Sequence, residues 1–147
     1  MKKTAYITIA LVVLIGSMAV AAQAQSISNA QVRVSVPFQF HVGNETLPAG
    51  DYLIRQLNAD ASAATLQISR KDGSAAAVIN MTAATRKAPE TSQLTFHRYG
   101  NQYYFAEVWI DGAKDGLQTP TSKAERATRN ELAALNLPME SVAVKLR

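Results

Sequence analysis

The sequence predicts a mainly β fold, a small antiparallel β sandwich or partly closed barrel of about seven or eight strands with one C-terminal helix. Three observations carry this expectation. Short runs alternate apolar and polar residues with a period of two. Gly-Asn and Asp-Gly dipeptides sit between such runs, as tight hairpins require. A single tract rich in Ala, Glu, Arg and Leu starts at a capping signal near the C-terminus.

The first segment has a different character. Lys2 and Lys3 precede an apolar run over residues 5–20, and Ala22-Gln23-Ala24 supplies a small-x-small cleavage pattern. This is the order of a secretory signal peptide. The run is shorter than the roughly 20 residues that span a bilayer. We therefore expect cleavage after Ala24 rather than an uncleaved anchor, leaving one β-rich domain over residues 25–147. Removal of the two lysines takes the formal net charge from +4 to +2. That weak residual charge argues against a nucleic-acid partner. No second long apolar stretch follows, so the mature chain has no expected membrane span. Cysteine is absent, which excludes disulfides, thiolate metal sites and Cys nucleophiles. The mature chain is long enough to rely on a core instead.

Residues 31–36 alternate, with Val32, Val34 and Val36 on one side. Pro37 interrupts them and marks an edge strand or a bend. Phe38, Phe40 and Val42 continue the alternation to Gly43-Asn44. In Leu47-Pro48-Ala49-Gly50-Asp51-Tyr52, Pro48 presets one turn position, and Gly50 is expected at positive φ. Tyr52 and Ile54 then share an inward face. Residues 58–63 read as a loop and 65–69 as a strand with Leu66 and Ile68 inward. Lys71-Asp72-Gly73-Ser74 reads as a hairpin turn with positive φ at both central residues. Residues 75–81 return, centred on Val78 and Ile79, and 82–92 read as a surface loop.

Residues 93–99 and 102–110 flank Gly100-Asn101. A two-residue turn there sets Arg98 opposite Tyr103, His97 opposite Tyr104 and Phe96 opposite Phe105. Phe96 with Phe105 is the expected core pair, and Arg98 over Tyr103 an expected cation–π contact. Residues 111–119 read as turns. Ser122 and Glu125 match a capping box opening a helix at about residues 122–135. Asn136 is suited to close it in a left-handed conformation, with Pro138 beyond. Its expected inward stripe is Ala124, Thr128, Leu132 and Leu135. Residues 141–146 alternate as a last strand.

Four of these segments together resemble a group of small exported proteins known mostly from Acidobacteria: Val36-Pro37-Phe38-Gln39-Phe40-His41-Val42-Gly43, Leu47-Pro48-Ala49-Gly50-Asp51-Tyr52, Leu94-Thr95-Phe96-His97-Arg98-Tyr99-Gly100 and Ser122-Lys123-Ala124-Glu125-Arg126. The resemblance implies an exported single β domain with a C-terminal helix. It brings no activity with it. The Pro-Ala-Gly-x-Tyr element also recurs in unrelated β-sandwich modules.

Chemical motifs are sparse. His41 and His97 are the two imidazoles, far apart in sequence and without H-x-H or H-E-x-x-H spacing. Each is expected on a strand's polar face or bonded to a neighbouring hydroxyl. Glu107, Asp111 and Asp115 lie near a hairpin end, but Lys114 sits where a cation would be repelled. No nucleophile elbow, Ser-x-x-Lys box or phosphate-binding glycine loop is present. Arg86, Lys87, Lys123, Arg126 and Arg129 read as solvated surface charges. Asn44-Glu45-Thr46 and Asn80-Met81-Thr82 match a glycosylation sequon, which beside a bacterial-looking leader is chance. A transmembrane barrel needs at least about eight strands of roughly 9–11 residues, longer than most here.

The sequence thus assigns no catalytic, cofactor-binding or metal-ligating residue and no cofactor. The expected role is that of an exported, non-enzymatic domain, periplasmic or extracellular, that binds a protein or contributes to the envelope. The alternative is a binder of small apolar ligands inside a barrel lined by Phe38, Phe40, Phe96 and Phe105. An enzyme of unfamiliar type, with titratable groups converging in a cleft, comes third.

Overall fold

A computed structural model of the chain describes residues 31–58, 63–74, 76–84, 87–111 and 115–147. The expected signal peptide, Arg86 and Lys114 lie outside the described residues. The strands are β1 (Val32–Val36), β2 (Phe40–Val42), β3 (Glu45–Leu47), β4 (Gly50–Gln56), β5 (Ala63–Arg70), β6 (Ala76–Ala83), β7 (Gln93–Tyr99), β8 (Gln102–Trp109), β9 (Leu117–Gln118) and β10 (Glu140–Lys145). One helix, α1 (Lys123–Ala134), precedes β10.

All ten strands join one mostly antiparallel sheet. A path β1-β4-β5-β6-β9-β8 continues through β7 to β10, while β2 and β3 branch from β8. The sheet curls on itself but does not close. One backbone bond, from the Arg147 amide to the Arg33 carbonyl at 2.9 Å, ties its two ends. The fold class is the expected one, in its sandwich-like, open form.

The alternating residues meet inside the curl. Val34, Val36, Phe40, Tyr52, Ile54, Leu66, Ile68, Ile79, Met81, Leu94, Phe96 and Phe105 form its core. Phe96 and Phe105 are directly opposed, as the Gly100-Asn101 turn requires, with ring centroids 5.8 Å apart. Phe40 meets Phe96 edge-on at 5.3 Å and Tyr52 at 5.2 Å. Phe38 stacks on Tyr103 at 3.9 Å, and the Arg98 guanidinium lies 5.7 Å from the Tyr103 ring.

The strands exceed the expected number because tertiary pairing makes strands where local patterning is weak. Gly43-Asn44 is itself a two-residue turn, with Val42 opposite Glu45, so β3 follows directly. Gly43 and Gly100 share φ +60° as the first residue of the two Gly-Asn turns, the pattern of a type II′ hairpin. β9 lies in the stretch read as turns, and its pairing with Thr82 and Ala83 extends β6 into the expected surface loop. Within β6, Ile79 is buried but Val78 is 60% exposed.

One turn assignment holds in part and another is corrected. Gly50 takes the expected positive φ, +159°, but does so as the first residue of β4, opposite Val36, rather than inside the turn. The turn before it is held by the Tyr52 hydroxyl, which donates to the Pro48 carbonyl at 2.5 Å. Among the described residues of the β5–β6 connection only Gly73 has positive φ. Asp72 instead accepts from the Ser74 amide at 2.8 Å, a local side-chain turn, and the Gly73 amide closes onto the Arg70 carbonyl.

Candidate functional site: the polar seam under the helix

β7 and β8 have two faces. Phe96 and Phe105 point into the core, so His97, Tyr99, Gln102 and Tyr104 point outward. On most antiparallel sheets that face is solvated. Here Tyr99 and Tyr104 are each 3% exposed, because α1 covers them. α1 thus lies across this outer face of the sheet.

Its ends form as expected. Ser122 Oγ accepts from the Glu125 amide at 3.0 Å. At the other end Asn136 takes φ +55°, and the Asn136 and Leu137 amides donate to the Ala133 and Leu132 carbonyls. This is a Schellman closure. The buried face departs from expectation in part: Thr128 and Leu132 of the expected stripe turn inward, but Ala124 and Leu135 do not, and Glu125 joins them. Glu125 and Thr128 are buried, and Leu132 half-buried beside Gly100. Ala124 is exposed, and Leu135 is 66% exposed. The inward side of α1 is therefore mainly polar, because the sheet surface it meets is a polar aromatic one.

Glu125 does not complete the reciprocal capping box. Its Oε1 accepts from His97 Nδ1 at 2.7 Å and from the Tyr99 hydroxyl at 3.1 Å. Burial pushes the Tyr99 hydroxyl up to about 12, and the charge of Glu125 and its hydrogen bond push the same way. Thr128 Oγ1 lies 2.8 Å from the Tyr104 hydroxyl, which donates to Gln102 Oε1 at 2.8 Å. His41 stacks on Tyr104 with centroids 4.7 Å apart, and its Nδ1 is 3.0 Å from Thr46 Oγ1. Burial holds the His41 imidazole below its ordinary value. The two histidines, remote in sequence, thus stand on either side of one seam.

The seam can orient a proton and hold a charge. Glu125 fixes the hydrogen on His97 Nδ1, as a carboxylate does for an imidazole base. Every buried side-chain nitrogen and oxygen among the described residues has a partner. The signal for this site was present in the sequence as Glu125, but the capping reading claimed that residue first.

The other candidates stay apart. Glu107 accepts from the Trp109 indole at 2.8 Å, and Asp111 and Asp115 are exposed. Among the described residues no three His, Asp or Glu side chains gather as metal ligands. Lys87, Lys123, Arg126 and Arg129 are exposed and Asn80 accepts from Thr65 Oγ1. Within the described residues no helix is long and apolar enough to cross a membrane. Compared with known proteins, the chain matches no family model, no curated protein and no solved structure.

Proposed function

We propose that this chain is an exported, non-enzymatic β domain that binds a protein or envelope partner through its surface. The observation that carries the reading is the interlocked interior. Phe40, Phe96 and Phe105 are between 0% and 2% exposed and meet edge-to-face, so they fill the space in which a barrel ligand would sit. The apolar cleft between Ile54, Leu66, Val108 and Leu117 is about 20 Å³. That is room for about one water, far below the several hundred Å³ of a ligand pocket.

The titratable groups that converge do so on a satisfied seam that fastens α1 to the sheet. A satisfied buried network rigidifies a fold, and this supports a structural role for His97, Glu125 and Tyr99. The signal-peptide pattern at Lys2, Lys3 and Ala22-Gln23-Ala24, with the resemblance to exported acidobacterial proteins, supports export.

In-cell photocrosslinking tests the reading. The probe is placed at exposed surface positions of the chain expressed in its producing cell. We expect discrete crosslinks to an envelope or periplasmic protein and a mature N-terminus at Gln25. A chain retained in the cytoplasm, or exported but never crosslinked from any face, contradicts it.

A further inference from the structure

The outer face of β1 and β4 carries polar groups that the fold leaves unmatched. Val34, Val36, Tyr52 and Ile54 point into the core, so Arg33 and Ser35 of β1 and Asp51 and Leu53 of β4 point outward. The ladder sets Arg33 opposite Leu53 and Ser35 opposite Asp51. Two backbone bonds then bring a cation to each flank. The Arg147 amide donates to the Arg33 carbonyl at 2.9 Å, beyond β1. The Lys71 amide donates to the Asp51 carbonyl at 3.2 Å, beyond β4. These six residues line one open groove of about 500 Å³ over the two strands. That volume is in the range of small-molecule sites.

Further along the same face, across β4, β5 and β6, neighbouring polar side chains satisfy one another. Arg55 donates to Gln67 at 2.8 Å, and Thr65 to Asn80 at 2.9 Å. In the groove they do not. Among the described residues, the side chains of Arg33, Asp51, Lys71 and Arg147 form no ion pair or hydrogen bond with one another, although they line the same space. Cations on the flanks and a carboxylate and hydroxyl on the floor are thus held apart, with room between them. The cations call for anionic groups, and the Asp51 carboxylate calls for hydroxyl donors. An acidic peptide meets the first demand and is repelled by Asp51. A neutral saccharide meets only the second.

We infer that this groove binds a short stretch of an acidic saccharide of the envelope. Its carboxylates lie against Arg33, Lys71 and Arg147, and its hydroxyls bond to Asp51 and Ser35. Leu53 gives a small apolar floor to a sugar ring. The inference rests on the envelope side of the reading above and names its site and ligand class.

The test uses the mature chain with three probes: tetragalacturonate, neutral maltotetraose and a capped tetraglutamate peptide. Binding is followed by calorimetry and amide chemical shifts. We expect saturable binding of tetragalacturonate, at least about tenfold tighter than either other probe and weakened by salt. Shift changes should centre on Arg33, Ser35, Asp51, Leu53 and Lys71. Arg33→Gln with Lys71→Gln should weaken tetragalacturonate at least about tenfold. Asp51→Ala should weaken tetragalacturonate and strengthen tetraglutamate, closing the gap between them. Lys123→Gln with Arg126→Gln, on α1, should leave binding unchanged. All the substituted side chains are exposed, so the variants should keep the fold, which circular dichroism checks. Equal affinity for tetragalacturonate and tetraglutamate overturns the inference. So does the absence of saturable binding, a shift pattern centred outside the groove, or full binding by Arg33→Gln with Lys71→Gln. If tetragalacturonate fails to bind while in-cell protein crosslinks persist, the surface-binding reading stands and this groove is not its site.

Discussion

His97 Nδ1 and Glu125 Oε1 are 2.7 Å apart across the helix–sheet seam, with the carboxylate 5% exposed and the imidazole 32%. The pair joins residues from β7 and α1, so it is a tertiary clamp and not a local cap. A helix of 12 residues is marginal alone, since isolated helices shorter than ~12–15 residues rarely persist in water. Its order therefore depends on what it grips.

Alkaline titration reports the same cluster. The Tyr99 hydroxyl is raised from 10.0 to about 12 in the fold, first by burial and then by Glu125. A group raised on folding stabilises below its unfolded value and loses that contribution as pH climbs through its folded value. Stability from Tyr99 is thus complete below pH 10 and is lost on the way to about 12. Tyrosinate absorbance should show a late component that Tyr99→Phe removes. Glu125→Gln should shift it down, yet leave it above the ordinary range because burial remains.

At the acid side the sign is opposite. His41 is depressed below 6.5 by burial, so its contribution is present above that value and lost as pH falls through the lower folded value. Denaturant midpoints of the native chain should therefore fall on acidification below 6.5. His41→Gln should flatten that part of the profile.

The core pair sets the register. Phe96→Ala or Phe105→Ala should cost about 3–5 kcal/mol, as truncation of a buried aromatic does. Chemical unfolding measures it. A loss below about 1 kcal/mol at Phe96, 0% exposed, would mean a slipped hairpin.

Gly116 is held by a close approach. A Cβ there would fall 2.5 Å from Cδ2 of the Trp109 ring, itself 3% exposed. Gly116→Ala should destabilise by about 1–3 kcal/mol through overpacking. The single Trp should change its fluorescence maximum in the folded variant.

Much of the fold was legible in the residues because its signals are local. Alternation at Val34 and Val36 or at Leu66 and Ile68 states which side is inward, and Gly100-Asn101 sets a register with no help from elsewhere. β9 was not legible, since Leu117 and Gln118 are strand only by lying beside Thr82 and Glu107. The buried face of α1 misled for a related reason. An apolar stripe is the right guess over an apolar surface, but α1 lies over Tyr99, Tyr104 and His97, and there the expected Thr128 is joined by Glu125 rather than by Ala124 or Leu135. The Ser122–Glu125 spacing fits a local box and a distant clamp equally well. Only the position of His97 on the outer face decides between them.

A double-mutant cycle between His97 and Glu125 tests the polar clamp most directly. Unfolding free energies are measured for the native chain, His97→Ala, Glu125→Ala and the double variant, with helix content followed in each. The clamp predicts that the two single losses exceed their combined effect, with a coupling of about 1 kcal/mol. It also predicts that Glu125→Ala is the worse single change, because it strands both His97 and Tyr99. Additivity to within about 0.3 kcal/mol, with α1 intact in all four proteins, would contradict the clamp.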